Sequence, residues 1–189
     1  MGPFESSRNH DEDLALARKA AARDRTALHA VVDRHASELY RLARGLSPTA
    51  ADAEDAVQDT LIAAFRAIGS FDGRASLLTW MTRILIRRAR RLGRKRSSQS
   101  ALSLEVELDS PRQDARLLAG SSSDDCRLDL AAALPKLPPE YREVIVLREL
   151  QGMSYAEIAN TLDIPQGTVE SRIHRARSLL REHLRAYRP

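Results

Sequence analysis

Three aspartates recur at helical spacing within one short segment of the sequence. Asp52, Asp55 and Asp59 are separated by three and four residues, and Gln58 lies beside them. On a helix these four residues share one face, called the acidic stripe below. Clustered carboxylates can perform acid–base catalysis or hold a metal ion, but this stripe has no histidine and lies on a convex helix rather than in a pocket. We therefore interpret it as a docking surface for a basic protein partner.

The last predicted helix, from about residue 166 to residue 187, carries a second candidate surface. Its apolar side chains fall on one face, while Glu170, Ser171, His174 and Arg175 project from the other. A short helix and the turn Asp163-Ile164-Pro165 precede it, which is the pattern of a helix-turn-helix. In that motif the outward residues at the start of the second helix meet base edges in the major groove, where an arginine can bind guanine. Three arginines at the flanks of this face can reach phosphates: Arg172, Arg177 and Arg181.

A third candidate surface is strongly basic and follows a glycine-containing loop. Between Arg83 and Arg96 there are eight arginines or lysines and no acid, and the loop Phe71-Asp72-Gly73 lies just before the helix that carries them. Ser76 is expected to cap this helix. Such a helix can hold a phosphate backbone and offer pockets to unstacked bases. We expect its outward face to carry Thr79, Thr82, Arg83, Ile86 and Arg90.

Composition limits the class of protein that can carry these surfaces. The 189 residues include 30 Lys and Arg against 26 Asp and Glu, 4% aromatic residues and one cysteine. This composition favours helices over sheets. One cysteine excludes a disulfide framework and a CxxC metal site, and the sequence has no phosphate-binding glycine loop, HExxH motif or nucleophile elbow. We therefore expect a soluble, cytoplasmic protein that is not an enzyme, with no cofactor, no bound metal and no membrane-spanning segment.

The periodicity of apolar residues divides the chain into four parts. Residues 1–13 are polar and are expected to be disordered, and residues 14–96 are expected to form a first helical domain. Residues 97–123 are rich in serine and acids and predict a flexible linker. Residues 124–189 predict a second helical domain that contains the helix-turn-helix. The expected fold is all-α, with two small helical domains joined by a flexible acidic linker.

Local signals place the ends of several helices in these domains. Gly45 and the Ser47-Pro48 pair are expected to end one helix, and Thr49 to cap the next, with Asp52 as its capping-box partner. Ser154 and Glu157 predict a capping box at the start of the short helix before the turn.

Three segments of the sequence resemble a known family. They read AEDAVQDTLIAAF, FDGRASLLTWMTRI and LPPEYREVIVLRELQGMSYAEIANTLDIPQGTVESRIHRARSLLRE. Together they resemble a group 4, or extracytoplasmic-function, sigma factor of bacterial RNA polymerase. The resemblance implies a first domain (sigma region 2) that binds the polymerase clamp and the −10 promoter element. It also implies a second domain of the winged-helix-like, or sigma region 4, type that binds the polymerase flap and the −35 element.

The resemblance also assigns residues and partners by position in these motifs. It implies that Asp52, Asp55, Gln58 and Asp59 contact core polymerase. It implies −10 element contacts for Phe71, Gly73, Ser76, Trp80, Arg83, Arg87 and Arg90, although Arg87 stands where many members have asparagine. It implies −35 element contacts for Glu170, Ser171, Arg172, His174, Arg175 and Arg177. Members are commonly held by an anti-sigma factor, so a cognate inhibitor is also expected.

Two other functions would also use a basic helix-turn-helix protein. One is a stand-alone transcriptional repressor or activator, but such proteins usually dimerise, and the sequence shows no heptad seam. The acidic stripe would also have no role in a repressor. The other is a metal-dependent nuclease that uses the clustered carboxylates, which lacks any pocket motif here.

Overall fold

A computed structural model describes residues 3–100 and 133–185, and the side chains of residues 11–93 and 133–184 within these ranges. The described ranges contain seven α-helices and no β-strand, which confirms the all-α class. The helices are α1 (Pro3–Ala21), α2 (Arg25–Leu46), α3 (Ala50–Ala67), α4 (Leu77–Ser100), α5 (Pro139–Glu149), α6 (Tyr155–Leu162) and α7 (Gln166–Arg185). Most of the predicted linker lies outside the described residues, and its first four residues, 97–100, continue α4.

The N-terminal helix α1 differs from the expected disorder of residues 1–13. It begins at Pro3, and its inner face buries Asp13, Ala17 and Ala20 against the rest of the domain. These residues are spaced at i, i+4 and i+7, which places them on one side of a helix. The sequence signal was weak because the buried residue in this stretch is an aspartate rather than an aliphatic side chain.

Helices α2, α3 and α4 form the centre of the first domain. The fully buried side chains include Leu39 and Leu42 of α2 and Met81 and Leu85 of α4, and α3 packs against both helices. The expected cap of α3 is confirmed, since Thr49 Oγ1 accepts a hydrogen bond from the amide of Asp52 at 3.1 Å. This cap satisfies one of the amide groups that the first turn of a helix leaves without an intrahelical partner.

The second domain contains the helix-turn-helix that the sequence predicts. At the start of α6 the Ser154 side chain accepts from the amide of Glu157, and the Glu157 carboxylate accepts from the amide of Ser154, so the capping box is confirmed. The Glu157 carboxylate accepts hydrogen bonds from both the amide and the hydroxyl of Ser154, and these bonds lower the pKa of Glu157 below its ordinary value. Asp163 ends α6 in the left-handed conformation at φ 56°, and α7 begins three residues later. The local sequence therefore determines both the helix start and the turn.

Gly45 has a different role from the predicted helix stop. Helix α2 continues through it to Leu46, and Ser47 is the C-cap. A Cβ atom placed on Gly45 would lie 3.0 Å from Val146 Cγ2 and 3.2 Å from Leu150 Cδ1. A side chain at Gly45 would force Val146 and Leu150 to shift by a few tenths of an ångström, so glycine permits the close approach of the second domain to α2.

The second domain also covers part of the face of α4 that was expected to point outward. Thr82 and Ile86 were expected on that face, but they are 0% and 2% exposed. The Thr82 hydroxyl donates to Gln151 Oε1 at 3.2 Å, and Ile86 borders a groove between the domains with Pro139 and Arg142. The expectation was wrong because projection of a single helix cannot register a surface that a distant segment covers.

Candidate protein-docking and nucleic-acid interfaces

The acidic stripe lies on the solvent side of α3. The buried face of this helix consists of small residues, among them Ala53, Ala56 and Thr60, whose hydroxyl donates to the carbonyl of Ala56 at 2.6 Å. On the other side Asp55 and Gln58 are exposed. The stripe is therefore presented to solvent, as expected.

An apolar side chain that the sequence analysis missed lies within this surface. Ile62 is 43% exposed, and among the described side chains it is the one large hydrophobic residue that is exposed. With Asp55, Gln58 and Asp59 it follows the i, i+3, i+4, i+7 pattern of one helical face. The carboxylates make this face unsuited to DNA phosphates, and the Ile62 side chain among them is apolar surface that a protein partner can bury. Ile62 stands in the run LIAAF, whose apolar composition is typical of a buried core, so the sequence carries no sign that this side chain is exposed.

Two members of the stripe have partners within the domain. Asp52 is half-buried, and its Oδ2 atom accepts a hydrogen bond from Thr49 Oγ1 at 2.7 Å. Asp59 is half-buried and lies 3.4 Å from Arg91 Nη2 of α4. The surface centred on Asp55, Gln58, Asp59 and Ile62 is called the α3 docking face below.

The loop of residues 71–76 is built on an aromatic pair. The rings of Phe71 and Trp80 meet edge to face at a centroid distance of 5.7 Å, and Phe71 is only 8% exposed. Gly73 adopts φ 74°, a conformation that favours glycine. Just before α4, Ser76 Oγ accepts from the amide of Thr79 at 3.1 Å, so the expected cap is confirmed. The geometry gives Phe71 a supporting role beneath the loop.

The basic face of α4 is only partly open to solvent. Arg83 is half-buried and Arg87 is exposed. Arg90 forms two parallel hydrogen bonds with Glu143 of the second domain, Nε to Oε1 at 2.6 Å and Nη2 to Oε2 at 2.5 Å. These hydrogen bonds raise the pKa of Arg90 above its ordinary value. Glu143 is 6% exposed, so its carboxylate occupies the place that a phosphate would take on Arg90.

The outward face of α7 is arranged as the sequence predicts. Glu170, Ser171, His174 and Arg175 are exposed, whereas the apolar side chains of the opposite face, including Val169, Ile173, Ala176 and Leu180, are buried. Arg175 Nη1 lies 3.4 Å from the Tyr141 hydroxyl, and this contact raises the pKa of Arg175.

The flanking arginines of α7 are held in different ways. Arg177 donates to Glu149 of α5 at 2.9 Å, and Arg172 is half-buried beside the groove between the domains. Arg181 is exposed and donates to the carbonyl of Arg177 within the helix. Contact of these residues with DNA stays a prediction.

An apolar groove of about 770 Å³ lies between α5 and α7. Its apolar wall is formed by Leu134, Ile145, Val146, Leu150, Ile173, Leu180 and Leu184. Polar side chains, among them Glu149, His174 and Arg177, lie at the rim of this groove. A groove of this shape and composition fits an apolar segment of another protein.

Within the described side chains no group of three or more His, Cys, Asp or Glu is arranged to hold a metal ion. None of the described helices has the length and apolar character needed to cross a bilayer.

Comparison with known protein families matches two segments of the chain. The model of sigma-70 region 2 matches residues 31–99, and the model of sigma-70 region 4 matches residues 127–180. The first includes the α3 docking face and most of α4, and the second includes the helix-turn-helix.

Several curated proteins are similar over most of this chain. The ECF RNA polymerase sigma factor SigE of Mycolicibacterium smegmatis is 40% identical over 165 residues, which are 82% of this chain and 60% of SigE. This chain thus spans less than two thirds of SigE. SigM of Mycobacterium tuberculosis is 34% identical over 92% of this chain and 85% of its own length. The ECF sigma-E factor of Escherichia coli is 32% identical over 89% of this chain and 92% of its own length.

Two solved structures have a similar fold. CnrH, in complex with the cytosolic domain of CnrY, superposes with a TM-score of 0.67 at 34% identity, covering 92% of this chain and 97% of CnrH. RpoE of Bartonella quintana, in complex with the anti-sigma factor NepR, superposes with a TM-score of 0.64 at 34% identity, covering 79% and 91% of the two chains.

Proposed function

Because the chain belongs to the extracytoplasmic-function family of RNA polymerase sigma factors, we propose that it binds core RNA polymerase in the cytoplasm and directs it to specific promoters. The observation that carries this proposal is the α3 docking face, where Ile62 lies among Asp55, Gln58 and Asp59 on the same domain as a basic helix. In this role the protein performs no chemistry itself and uses the catalytic site of polymerase.

Each of the four surfaces has a place in this function. The α3 docking face contacts the polymerase clamp, and the apolar groove between α5 and α7 accepts a segment of the polymerase flap. The loop of residues 71–76 and the basic face of α4 bind the −10 element, where unstacked bases and phosphates need pockets and arginines. The outward face of α7 reads the −35 element in the major groove.

The same features argue against a stand-alone repressor or activator. An acidic, apolar docking face cannot bind DNA, because phosphates repel its carboxylates. A repressor would therefore have no use for it, whereas a polymerase subunit needs a protein contact besides its two DNA contacts. A nuclease is disfavoured since the carboxylates of α3 lie on a convex surface instead of a pocket.

Reconstitution with purified core polymerase tests the proposal directly. We expect the chain to remain bound to core polymerase in a pull-down and to start transcription at a promoter that core polymerase alone ignores. Retention of DNA binding with no affinity for core polymerase would instead support the stand-alone regulator.

We further propose that a cognate anti-sigma factor holds this protein inactive by covering the α3 docking face, the second domain, or both. The relatives CnrH and RpoE were each solved with a protein bound, CnrY and NepR respectively. The same pull-down, made with protein purified from its host, is expected to displace the inhibitor as polymerase binds. An inhibitor that stays bound together with polymerase would contradict this mechanism.

Two arginines of α7 are expected to differ in their effect on DNA binding. Arg175→Ala is expected to relax sequence preference at one position of the −35 element and to cost about 1–3 kcal/mol, the range of one base contact made by two hydrogen bonds. Arg181→Ala is expected to weaken binding evenly across sequences, because a phosphate contact carries no base information. The measurement is the affinity of the holoenzyme for a set of single-base −35 variants. Uniform losses in both variants would show that another face of α7 reads the bases.

A further inference from the structure

Asp13 is a buried acid of α1, in the stretch of residues 1–13 that was expected to be disordered. Asp13 is 5% exposed. It lies in α1, which is distant along the sequence from all of the surfaces described above. A carboxylate in such a place is costly unless donors surround it. The contacts of Asp13 therefore indicate what the acid does.

The two oxygens of Asp13 bind two different parts of the first domain. Oδ2 accepts a hydrogen bond from the amide of Leu77 at 3.1 Å, across 64 positions of sequence. Oδ1 accepts from Arg34 Nη1 at 3.2 Å, and His35 Nε2 lies 3.9 Å from the same atom. Burial lowers the pKa of His35, against the opposing effect of Asp13. Arg34 is therefore the cation that balances the Asp13 charge.

Leu77 is the first residue of α4, and its amide is one of those that a helix leaves without an intrahelical partner. The preceding residue, Ser76, caps the amide of Thr79 in the usual way. The start of α4 thus has two caps, one local and one supplied by α1. The Ser76 cap is made within the loop and the helix start, so it does not restrict the position of the loop relative to other helices. The Asp13 cap joins the loop to α1 and therefore restricts that position.

Helix α1 also packs against the other end of the same loop. It contacts the 3₁₀ turn Ile68–Ser70 as well as α4. The loop of residues 71–76 lies between these two attachment points. Because both ends are held by α1, the orientation of the loop and of Trp80 behind it depends on the contact that Asp13 makes.

We propose that Asp13 is a positioning residue for −10 element recognition, which it serves by capping α4 from α1 and so fixing the loop of residues 71–76. This inference rests on the proposed function of that loop. Asp13 contacts no DNA, and its effect passes through the amide of Leu77.

The test compares three variants in the reconstituted holoenzyme. Asp13→Ala removes the cap and the ion pair with Arg34. Asp13→Asn keeps an oxygen that can accept from the Leu77 amide but removes the charge. Glu12→Ala is the matched control, because Glu12 is the exposed neighbour that lies 3.5 Å from the same arginine and makes no contact with Leu77.

The readout is the ratio of open-complex formation on the preferred −10 sequence to that on single-base −10 variants. We expect Asp13→Ala to reduce this ratio about tenfold, the effect of losing one hydrogen bond to a charged acceptor. The Asp13→Asn variant is expected to retain most of the wild-type ratio, and the Glu12→Ala variant to have the wild-type ratio. Affinity for core polymerase and for the −35 element is expected to stay within twofold of wild type in all three, as those contacts lie on other surfaces.

Two results would overturn the proposal. One is Asp13→Ala with wild-type −10 discrimination. The other, which does not require the alanine variant to fold, is rapid hydrogen exchange of the Leu77 amide in the wild-type chain. Failure of the wild-type chain to bind core polymerase would instead contradict the proposed function, so the two failures are distinguishable.

Discussion

Replacement of both Asp55 and Asp59 by lysine is expected to weaken binding to core polymerase about 100-fold. Both residues belong to the α3 docking face, and neither contributes to the buried face of the helix. Each reversal replaces an attraction to a basic partner with a repulsion, and like charges across an interface cost several kcal/mol. The ion pair between Asp59 and Arg91 is largely exposed, so its loss has little effect on folding. The measurement is competition with wild type for core polymerase.

A charge control and an apolar variant separate the contributions to this interface. Asp33→Lys changes an exposed acid of α2 outside the docking face and is expected to leave core affinity within twofold. Ile62→Ser keeps every charge but removes the apolar side chain, and we expect it to reduce affinity about tenfold, as for a buried anchor at an interface. Unchanged core affinity in the double lysine variant would exclude the α3 docking face as the polymerase contact.

The second large effect is expected from Arg142→Ala, on stability rather than on binding. Arg142 is 8% exposed, and its guanidinium donates to three carbonyl oxygens, those of Leu46 (3.0 Å), Pro135 (2.7 Å) and Leu137 (2.8 Å). Burial lowers its pKa, and the hydrogen bonds to carbonyl dipoles keep the charged group in place. The alanine variant leaves those carbonyls without this donor. We expect the free energy of unfolding of the second domain to fall by about 3–5 kcal/mol.

Urea denaturation followed by circular dichroism measures this loss. Arg142→Lys retains the charge but not the planar fork, so it is expected to recover only part of the stability. Arg18→Ala, at an exposed arginine of α1, is the control and is expected to change stability by less than about 0.5 kcal/mol. A loss for Arg142→Ala no larger than that of the control would show that its hydrogen bonds are replaced by water at no net cost.

Features encoded by neighbouring residues could be predicted from the sequence. Thr49 and Ser154 cap their helices as expected because a capping bond needs only residues three positions apart. Likewise, the exposed face of α7 follows from the spacing of its own apolar residues.

Predictions failed for features that depend on contacts with distant segments of the chain. Gly45 looked like a helix stop and Ile86 looked exposed because the residues that pack on them belong to the second domain. Val146, beside Gly45, is about 100 positions away in sequence, and Arg142, beside Ile86, is about 55 positions away. Asp13 looked like part of a disordered tail, since its partner, the Leu77 amide, carries no side-chain signature at all.

The ion pair between Arg90 and Glu143 has a thermodynamic consequence for promoter binding. If Arg90 binds a promoter phosphate through the same Nε and Nη2 donors, as proposed, that phosphate must displace Glu143, so DNA binding at this position and separation of the domains would be linked equilibria. The apparent dissociation constant of the free protein is then the intrinsic one divided by the fraction of molecules in the separated state. If about one molecule in a hundred is separated, promoter affinity is about 100-fold below its intrinsic value. Polymerase, by holding the two domains apart, would recover this factor without touching the DNA-binding residues, and thus act as a positive allosteric effector of its own specificity subunit.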